Sequence, residues 1–481
     1  MESRARQEEL TLPTLLARNA DILVTMDEGR RELSDGGLFV RDGIIEQVGP
    51  TGELPRDADV VLDMRGQILL PGFVNTHHHL DQTLTRALPA SQDINLFPWL
   101  RVHYEIWARR TPEASRWSTL VGLAELAASG CTTVFDHTYV FPNGCRIDDH
   151  ISAAQEIGVR FHASRGSMSL GESRGGLPPD SCVEDEAAIL DDSRRVIETY
   201  HDASRGSMTQ IVLAPCSPFS VTPALLMETA ELARSYGVRL HTHLCETFDE
   251  ELFTLTNFQQ RPVAWMETMG WLGDDVWFAH AVHVDDDEIR EFARTGVGVA
   301  HCPCSNMRLA SGIAPVKQYL AAGVRVGLGV DGSASNDASN ILLEARQAML
   351  LARLRIGLLP PEGPQTLLST SDPLRSSEWM TAREALEIAT RGGAAVLGRS
   401  DIGALAPGMC ADFFSIDLNT VDYAGALNDP VAATLFCAPQ KVRYTVIDGR
   451  VVVENGEVTT VDMAPVVEAH NRFSRELAAH S

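Results

Sequence analysis

The chain has 481 residues, of which 44% are hydrophobic and 22% charged, with a net charge of −25 and a mean hydropathy of −0.06. That length exceeds one ordinary compact domain but suits an α/β barrel of roughly 250 residues with a smaller companion. The acidic surplus excludes the basic stripe that nucleic acid requires, and no apolar run reaches the length of a membrane span.

The first ten residues are polar and are expected to fray. Short β-like runs then follow at 20–25, 37–40, 44–48 and 60–63, separated by turn signals such as Arg41-Asp42-Gly43. The middle of the chain alternates apolar strands with helical patterns. Its strands are expected at 68–74, 132–136, 159–164, 210–215, 238–244, 276–280, 297–301 and 324–330. The clearest helix takes Thr111 as N-cap and Pro112 as its first residue, and it stops at Gly130. Stretches 166–185 and 355–380 are too long for tight connections, so each is either a cover for the barrel mouth or a plain surface insertion. After residue 400 the β pattern returns at 411–417, 442–447 and 451–454. These elements predict a (β/α)8 TIM barrel over 71–400. A small β-sandwich is expected from both chain ends, 1–70 and 401–481, the second part closing with a helix. Nine cysteines without framework spacing, and no leader-like opening, fit a cytoplasmic protein with free thiols.

In such a barrel the side chains at the C-terminal strand ends converge on one site. The first strand ends in Asn75-Thr76-His77-His78-His79, and His77 and His79, two apart on an extended chain, share a side. The fifth ends in His241-Thr242-His243 with Glu246 three residues on; the sixth ends in His280 and the eighth in Asp331. Imidazoles with one carboxylate suit a borderline divalent ion such as zinc or ferrous iron. A lone strand histidine is more often structural, but four histidines and an aspartate at successive strand ends reverse that expectation. His78 and His241 are read as turned away from the centre, and His137 and His301 as structural or supporting.

This pattern resembles the amidohydrolase superfamily, and within it the mononuclear cytosine, guanine and s-triazine deaminase branch. The likeness spans nearly the whole chain, including the hairpin at 451–456. The runs 162–168, 301–315 and 329–337 are most similar to the bacterial 8-oxoguanine deaminases, and hydroxytriazine aminohydrolases and isoxanthopterin deaminases share much of them. One departure is Cys245, where the family pattern His-Leu-Ala-Glu has alanine. The resemblance implies that His77, His79, His243 and Asp331 hold one divalent metal, zinc or alternatively ferrous iron. Asp331 would then take a proton from the attacking water, His280 would orient that water, and Glu246 would protonate the ring nitrogen before ammonia leaves. Gln82 occupies the position where guanine deaminases set a glutamine against the purine. Trp99 and Arg165 are further candidate substrate contacts. Each has a plainer reading: a helix start for Gln82, a packing anchor for Trp99, an ion pair for Arg165. Binuclear relatives bridge their metals with a carboxylated lysine at the fourth strand end. Here that strand ends Ala214-Pro215-Cys216-Ser217, and the two lysines, Lys317 and Lys441, lie elsewhere. One metal is therefore expected.

Other signals fall away. Cys302-Pro303-Cys304 lacks the two-residue gap of zinc thiolate sites, Gly332-Ser333-Ala334-Ser335 lacks the glycine of a nucleophile elbow, and the glycines at 171–176 have no phosphate-loop lysine. The expected activity is hydrolytic deamination of a small N-heterocycle, 8-oxoguanine to urate and ammonia. The alternatives are a hydroxytriazine, isoxanthopterin or guanine, or dechlorination of a triazine. A catalytically inactive barrel serving as a scaffold is the alternative from another class. The expected partner is a small heterocyclic molecule, with neither nucleic acid nor membrane, and a homo-oligomer is left open.

Overall fold

A computed structural model describes residues 12–358, 379–437 and 441–479. The N-terminal flank forms β1 (Leu15–Val24), β2 (Glu32–Arg41), β3 (Ile44–Pro50), β4 (Val60–Asp63) and β5 (Gln67–Pro71). The middle supplies β6 (Phe73–Asn75), β7 (Cys131–Asp136), β8 (Arg160–Ser167) and β9 (Thr209–Pro215). It continues with β10 (Arg239–Leu244), β11 (Val276–His280), β12 (Gly298–His301) and β13 (Arg325–Leu328). The C-terminal flank adds β14 (Phe413–Asp417), β15 (Tyr444–Ile447), β16 (Arg450–Glu454) and β17 (Glu457–Val458), then a helix over Met463–Ala478.

Strands β6 to β13 form a closed parallel barrel in chain order, with β13 pairing back onto β6 through Leu328 and Asn75. The expected (β/α)8 barrel is present. Its wall carries apolar residues on both faces, as a parallel sheet covered by helices requires: Val134, Phe161, Leu240, Phe278 and Val299 belong to one buried cluster, and Val74, Phe135, Val212, Trp277 and Ala300 to another. The helix Pro112–Ala128 begins and ends where its signals put it. Thr111 Oγ1 accepts from the Ala114 N–H at 3.3 Å, and Gly130 leaves the helix at φ +90.

The other strands join in one nine-stranded sheet, ordered β17-β16-β15-β14-β5-β1-β2-β3 with β4 beside β1. Strand β5 links the two chain ends, parallel to β1 at Ile22 and Ile68 and antiparallel to β14 at Leu70 and Phe414. The expected sandwich is therefore one continuous sheet, curled so that Leu15, Leu38, Ile45, Leu69, Phe413 and Val446 share a core. The single strand expected at 68–74 is in fact two. Gly72 separates them, and a Cβ there would come within 2.1 Å of Thr132 Oγ1, so only glycine lets the chain pass from sheet to barrel. At the N-terminal end of β8 the buried Arg160 ties barrel to sheet, meeting Asp412 at 2.6 Å and Asp448 at 2.9 Å.

Stretch 166–185 begins as strand, since β8 runs on to Ser167, and then holds single 3-10 turns at Glu172–Arg174 and Asp180–Cys182. The first ten residues, and all of 355–380 except its two ends, lie outside the described residues. Among the described residues no helix is long and apolar enough to cross a membrane.

Candidate active site

The C-terminal ends of β6, β10, β11 and β13 converge. His77 Nε2 and His79 Nε2 each lie 3.2 Å from Asp331 Oδ1, and His79 Nε2 lies 3.2 Å from His243 Nε2. Candidate ligand atoms of His77, His243, His280 and Asp331 lie within 4.8 Å of one another, as do those of His77, His79, His137 and His243. What each imidazole does with its other nitrogen decides whether such a cluster can hold a cation.

Here backbone carbonyls, which can only accept, set the tautomers. His79 Nδ1–H donates to the His137 carbonyl at 2.6 Å, and His243 Nδ1–H donates to that of Cys216 at 2.5 Å. His77 reaches its carbonyl through a second ring. His241 Nδ1–H donates to the Trp277 carbonyl at 3.0 Å, leaving His241 Nε2 to accept from His77 Nδ1–H at 2.9 Å. In every case the tautomer these bonds select turns Nε2 towards the centre, although at His79 burial is outweighed by the Asp331 carboxylate, which raises that ring. Burial pushes His77 down to about 3 and His243 well below the usual imidazole range, which favours those neutral rings. Three imidazole lone pairs and one carboxylate are a donor set that fits a divalent transition metal.

His241 thus corrects the reading that turned it away. It lies two residues from His243, so it shares that side of the strand, and it is the support for His77. His78 does point elsewhere, with Nε2 3.0 Å from Ser339 Oγ. His137 supports through its carbonyl, and its Nε2 meets the Ala214 carbonyl at 2.9 Å. His301 is buried in the barrel wall.

Asp331 sits just past β13 at φ +60. Its Oδ2 accepts from Ser305 Oγ at 2.5 Å and Ser335 Oγ at 3.0 Å. Burial pushes this carboxyl up, but the His77 and His79 imidazoles outweigh it and hold the group well below the usual carboxylate range. Glu246 is the opposite case. Burial raises it, and its partners are distant: His280 Nε2 at 3.6 Å and Ser311 Oγ at 3.4 Å. His280 Nδ1–H donates to Asn306 Oδ1 at 2.9 Å, which turns Nε2 towards both carboxylates, Asp331 Oδ2 being 4.0 Å away. His280 and Ala281 take φ of +69 and +45, a left-handed pair of non-glycine residues of the kind that clusters at functional sites.

Beside the cluster opens a cleft of about 460 Å³, lined by Gln82, Trp99, Tyr104, Tyr139, Phe219 and Leu309 among others. Gln82 and Trp99, expected from sequence, are both there. Gln82 Oε1 is buried and has no hydrogen-bond partner, whereas Trp99 Nε1–H is anchored on the Ala334 carbonyl at 3.3 Å. Arg165 is not there. It meets Asp192 at 2.7 Å and Glu184 at 2.9 Å and stacks over Phe141 at 4.3 Å, so its ion-pair reading holds. Tyr104, Tyr139, Phe219 and Glu250 escaped sequence reasoning, because they stand on helices and loops and not at barrel strand ends. Tyr104 is fully buried, and its hydroxyl, like Gln82 Oε1, has no partner. Behind the cluster lies a buried charge network. His150 bridges Asp136 at 2.8 Å and Asp81 at 3.4 Å, and Arg110 meets Asp81 at 2.7 Å. Asp136 Oδ1 in turn accepts the Leu80 N–H at 3.0 Å, fixing the chain directly after His79.

Known proteins share much of this sequence and fold. The chain is 46% identical to an 8-oxoguanine deaminase of Pseudomonas aeruginosa, an alignment covering 92% of this chain and 95% of that one. It is 38% identical to a hydroxydechloroatrazine ethylaminohydrolase of a Pseudomonas species, over 95% of this chain and 94% of the other. The fold superimposes on an atrazine chlorohydrolase from Arthrobacter aurescens, solved in complex with zinc, with a TM-score of 0.88 and 34% identity over 96% of this chain and all of that one. With the amidohydrolase family model matching residues 68–452, the chain belongs to the amidohydrolase family and is a metal-dependent hydrolytic deaminase.

Proposed function

We propose that the protein deaminates 8-oxoguanine to urate and ammonia, with His77, His79, His243 and Asp331 holding one zinc ion per chain. The carrying observation is that Glu246 and Asp331 both lie within 4.0 Å of a single atom, His280 Nε2, with opposite proton affinities. A carboxyl raised by burial beside one held low is how a site separates its acid from its base. When bound, a zinc-like ion supplies Lewis acidity that brings the pKa of water down to roughly 7.

The chain's own groups do the rest. Asp331 accepts a proton from the attacking water, and His280 Nε2 orients that water by hydrogen bonding. Glu246 delivers a proton to the ring nitrogen next to the carbon under attack. The proton taken by Asp331 passes to the amino nitrogen, the C–N bond breaks with its electron pair on that nitrogen so that ammonia leaves, and the added hydroxyl closes to a carbonyl as its proton restores Glu246. A poor leaving group needs that proton delivery, whereas a halide does not, so Glu246 favours deamination over dechlorination.

The two unpartnered atoms of the cleft support an oxidised purine. A flat ring edged with N–H and carbonyl groups offers a donor to Gln82 Oε1 and an acceptor to the Tyr104 hydroxyl. The identity to the Pseudomonas aeruginosa enzyme supports the same substrate. Nine unpaired cysteines support a cytoplasmic setting. Comparing kcat/KM for ammonia release from 8-oxoguanine, guanine, isoxanthopterin and a hydroxytriazine tests the reading. We expect 8-oxoguanine to lead; a triazine or pterin ahead by tenfold would overturn the substrate while leaving the chemistry.

A further inference from the structure

Glu250 is a buried carboxylate that the mechanism above leaves without a task. It lies in the first turn of the helix Phe248–Phe258, borders the cleft and is 1% exposed. Its two oxygens each accept a backbone N–H from the turn that carries the proposed acid. Cys245 N–H donates to Oε1 at 2.8 Å and Glu246 N–H donates to Oε2 at 3.3 Å. Arg261 is engaged elsewhere, pairing with Glu251 and Glu288. Burial pushes this carboxyl up to about 8, and among the described residues no cation pairs with it, so the two amide donors are what hold its oxygens in place.

The turn it grips is strained. Cys245 adopts φ +54, a conformation disfavoured for any residue with a Cβ. Its carbonyl accepts from Val282 at 2.9 Å and His283 at 3.0 Å, just beyond the left-handed pair His280 and Ala281. The peptide units between His243 and Glu246 are thus pinned from both sides, by Glu250 on the amides and by the β11 end on the carbonyl. That short segment sets where the Glu246 carboxyl stands relative to His243 and His280.

We propose that Glu250 is a positioning residue for Glu246, clamping the strained 245–246 turn so that the Glu246 carboxyl faces His280 and the substrate. The inference rests on the reading of Glu246 as proton donor. Glu250→Gln keeps the shape but retains one acceptor oxygen and turns an NH2 towards an N–H. It should lower kcat about 10- to 100-fold, with KM within threefold of wild type and metal content unchanged. The decisive measurement is the double variant with Glu246→Gln. If Glu250 acts through Glu246, the double variant is no more than threefold slower than Glu246→Gln alone. A kcat that falls by the product of the two single effects, a Glu250→Gln variant that loses metal, or one that turns over at the wild-type rate overturns the proposal. Should Glu250→Gln fail to fold, Glu250→Asp keeps both oxygens one methylene further back and enters the same cycle. The two readings fail differently. A fast Glu246→Gln enzyme sinks the proton-donor reading itself, while a slow Glu246→Gln enzyme with additive effects sinks the clamp alone.

Discussion

Replacing Tyr104 by phenylalanine should cost activity without costing stability. Tyr104 is fully buried and lines the cleft, and its hydroxyl has no hydrogen-bond partner. A buried polar group left unpaired costs about 1–3 kcal/mol, so removing it breaks nothing in the free protein. Allowing for the small void left behind, Tyr104→Phe should leave the unfolding free energy unchanged or raise it by up to about 1 kcal/mol. A neutral hydrogen bond to a substrate carbonyl is worth about 0.5–1.5 kcal/mol net, which is roughly a 2- to 13-fold loss in kcat/KM. Denaturant unfolding at matched metal content, set beside initial rates of ammonia release, reads both quantities on one preparation. A stability loss above about 1 kcal/mol, or an unchanged kcat/KM, would refute the assignment of that hydroxyl to the substrate.

Glu246→Gln should keep its metal and lose about 10²- to 10⁴-fold in kcat, the usual worth of a positioned general acid; elemental analysis and steady-state rates check both halves. Arg165→Met should leave kcat/KM within twofold, because the guanidinium is engaged by Asp192 and Glu184 outside the cleft, while lowering thermal stability. A loss of activity without a loss of stability would return Arg165 to the site. Burial pushes His150 down, but the Asp81 and Asp136 carboxylates win and raise it to about 10. Folding therefore favours its charged form, and that stabilisation is complete below the ordinary imidazole value of about 6.5 and is lost as pH rises towards 10. Unfolding free energy should fall between pH 6.5 and 9, and His150→Gln should flatten that slope.

Much of this site was legible because alternation and strand ends are local facts. His77 and His79 share a side by spacing alone, and His243, Glu246, His280 and Asp331 each follow an apolar run. The same rule applied with care would have kept His241 beside His243. What it could not reveal is the ring relay from Trp277 through His241 to His77, which depends on strands 164 residues apart meeting in the barrel. Arg165 misled for a similar reason: β8 runs three residues beyond the expected strand end at 164, and its acidic partners come from residues 184 and 192. Tyr104 and Glu250 were invisible because long-range packing brings their helices to the cleft, and no strand-end rule reaches a helix. The outer sheet was readable as two β-rich flanks, but the break at Gly72 depends on Thr132, a contact that only the closed barrel creates.

Metal-dependent deamination of an amino-substituted heterocycle is measured by ammonia release from 8-oxoguanine by one preparation in three states. The account predicts one ammonia per urate from the zinc-loaded enzyme, loss of release after chelation, and recovery on adding back one equivalent of zinc per chain. Ammonia release that is unaffected by stripping the metal, or its absence from every amino-purine, pterin and triazine offered to the loaded enzyme, would contradict it.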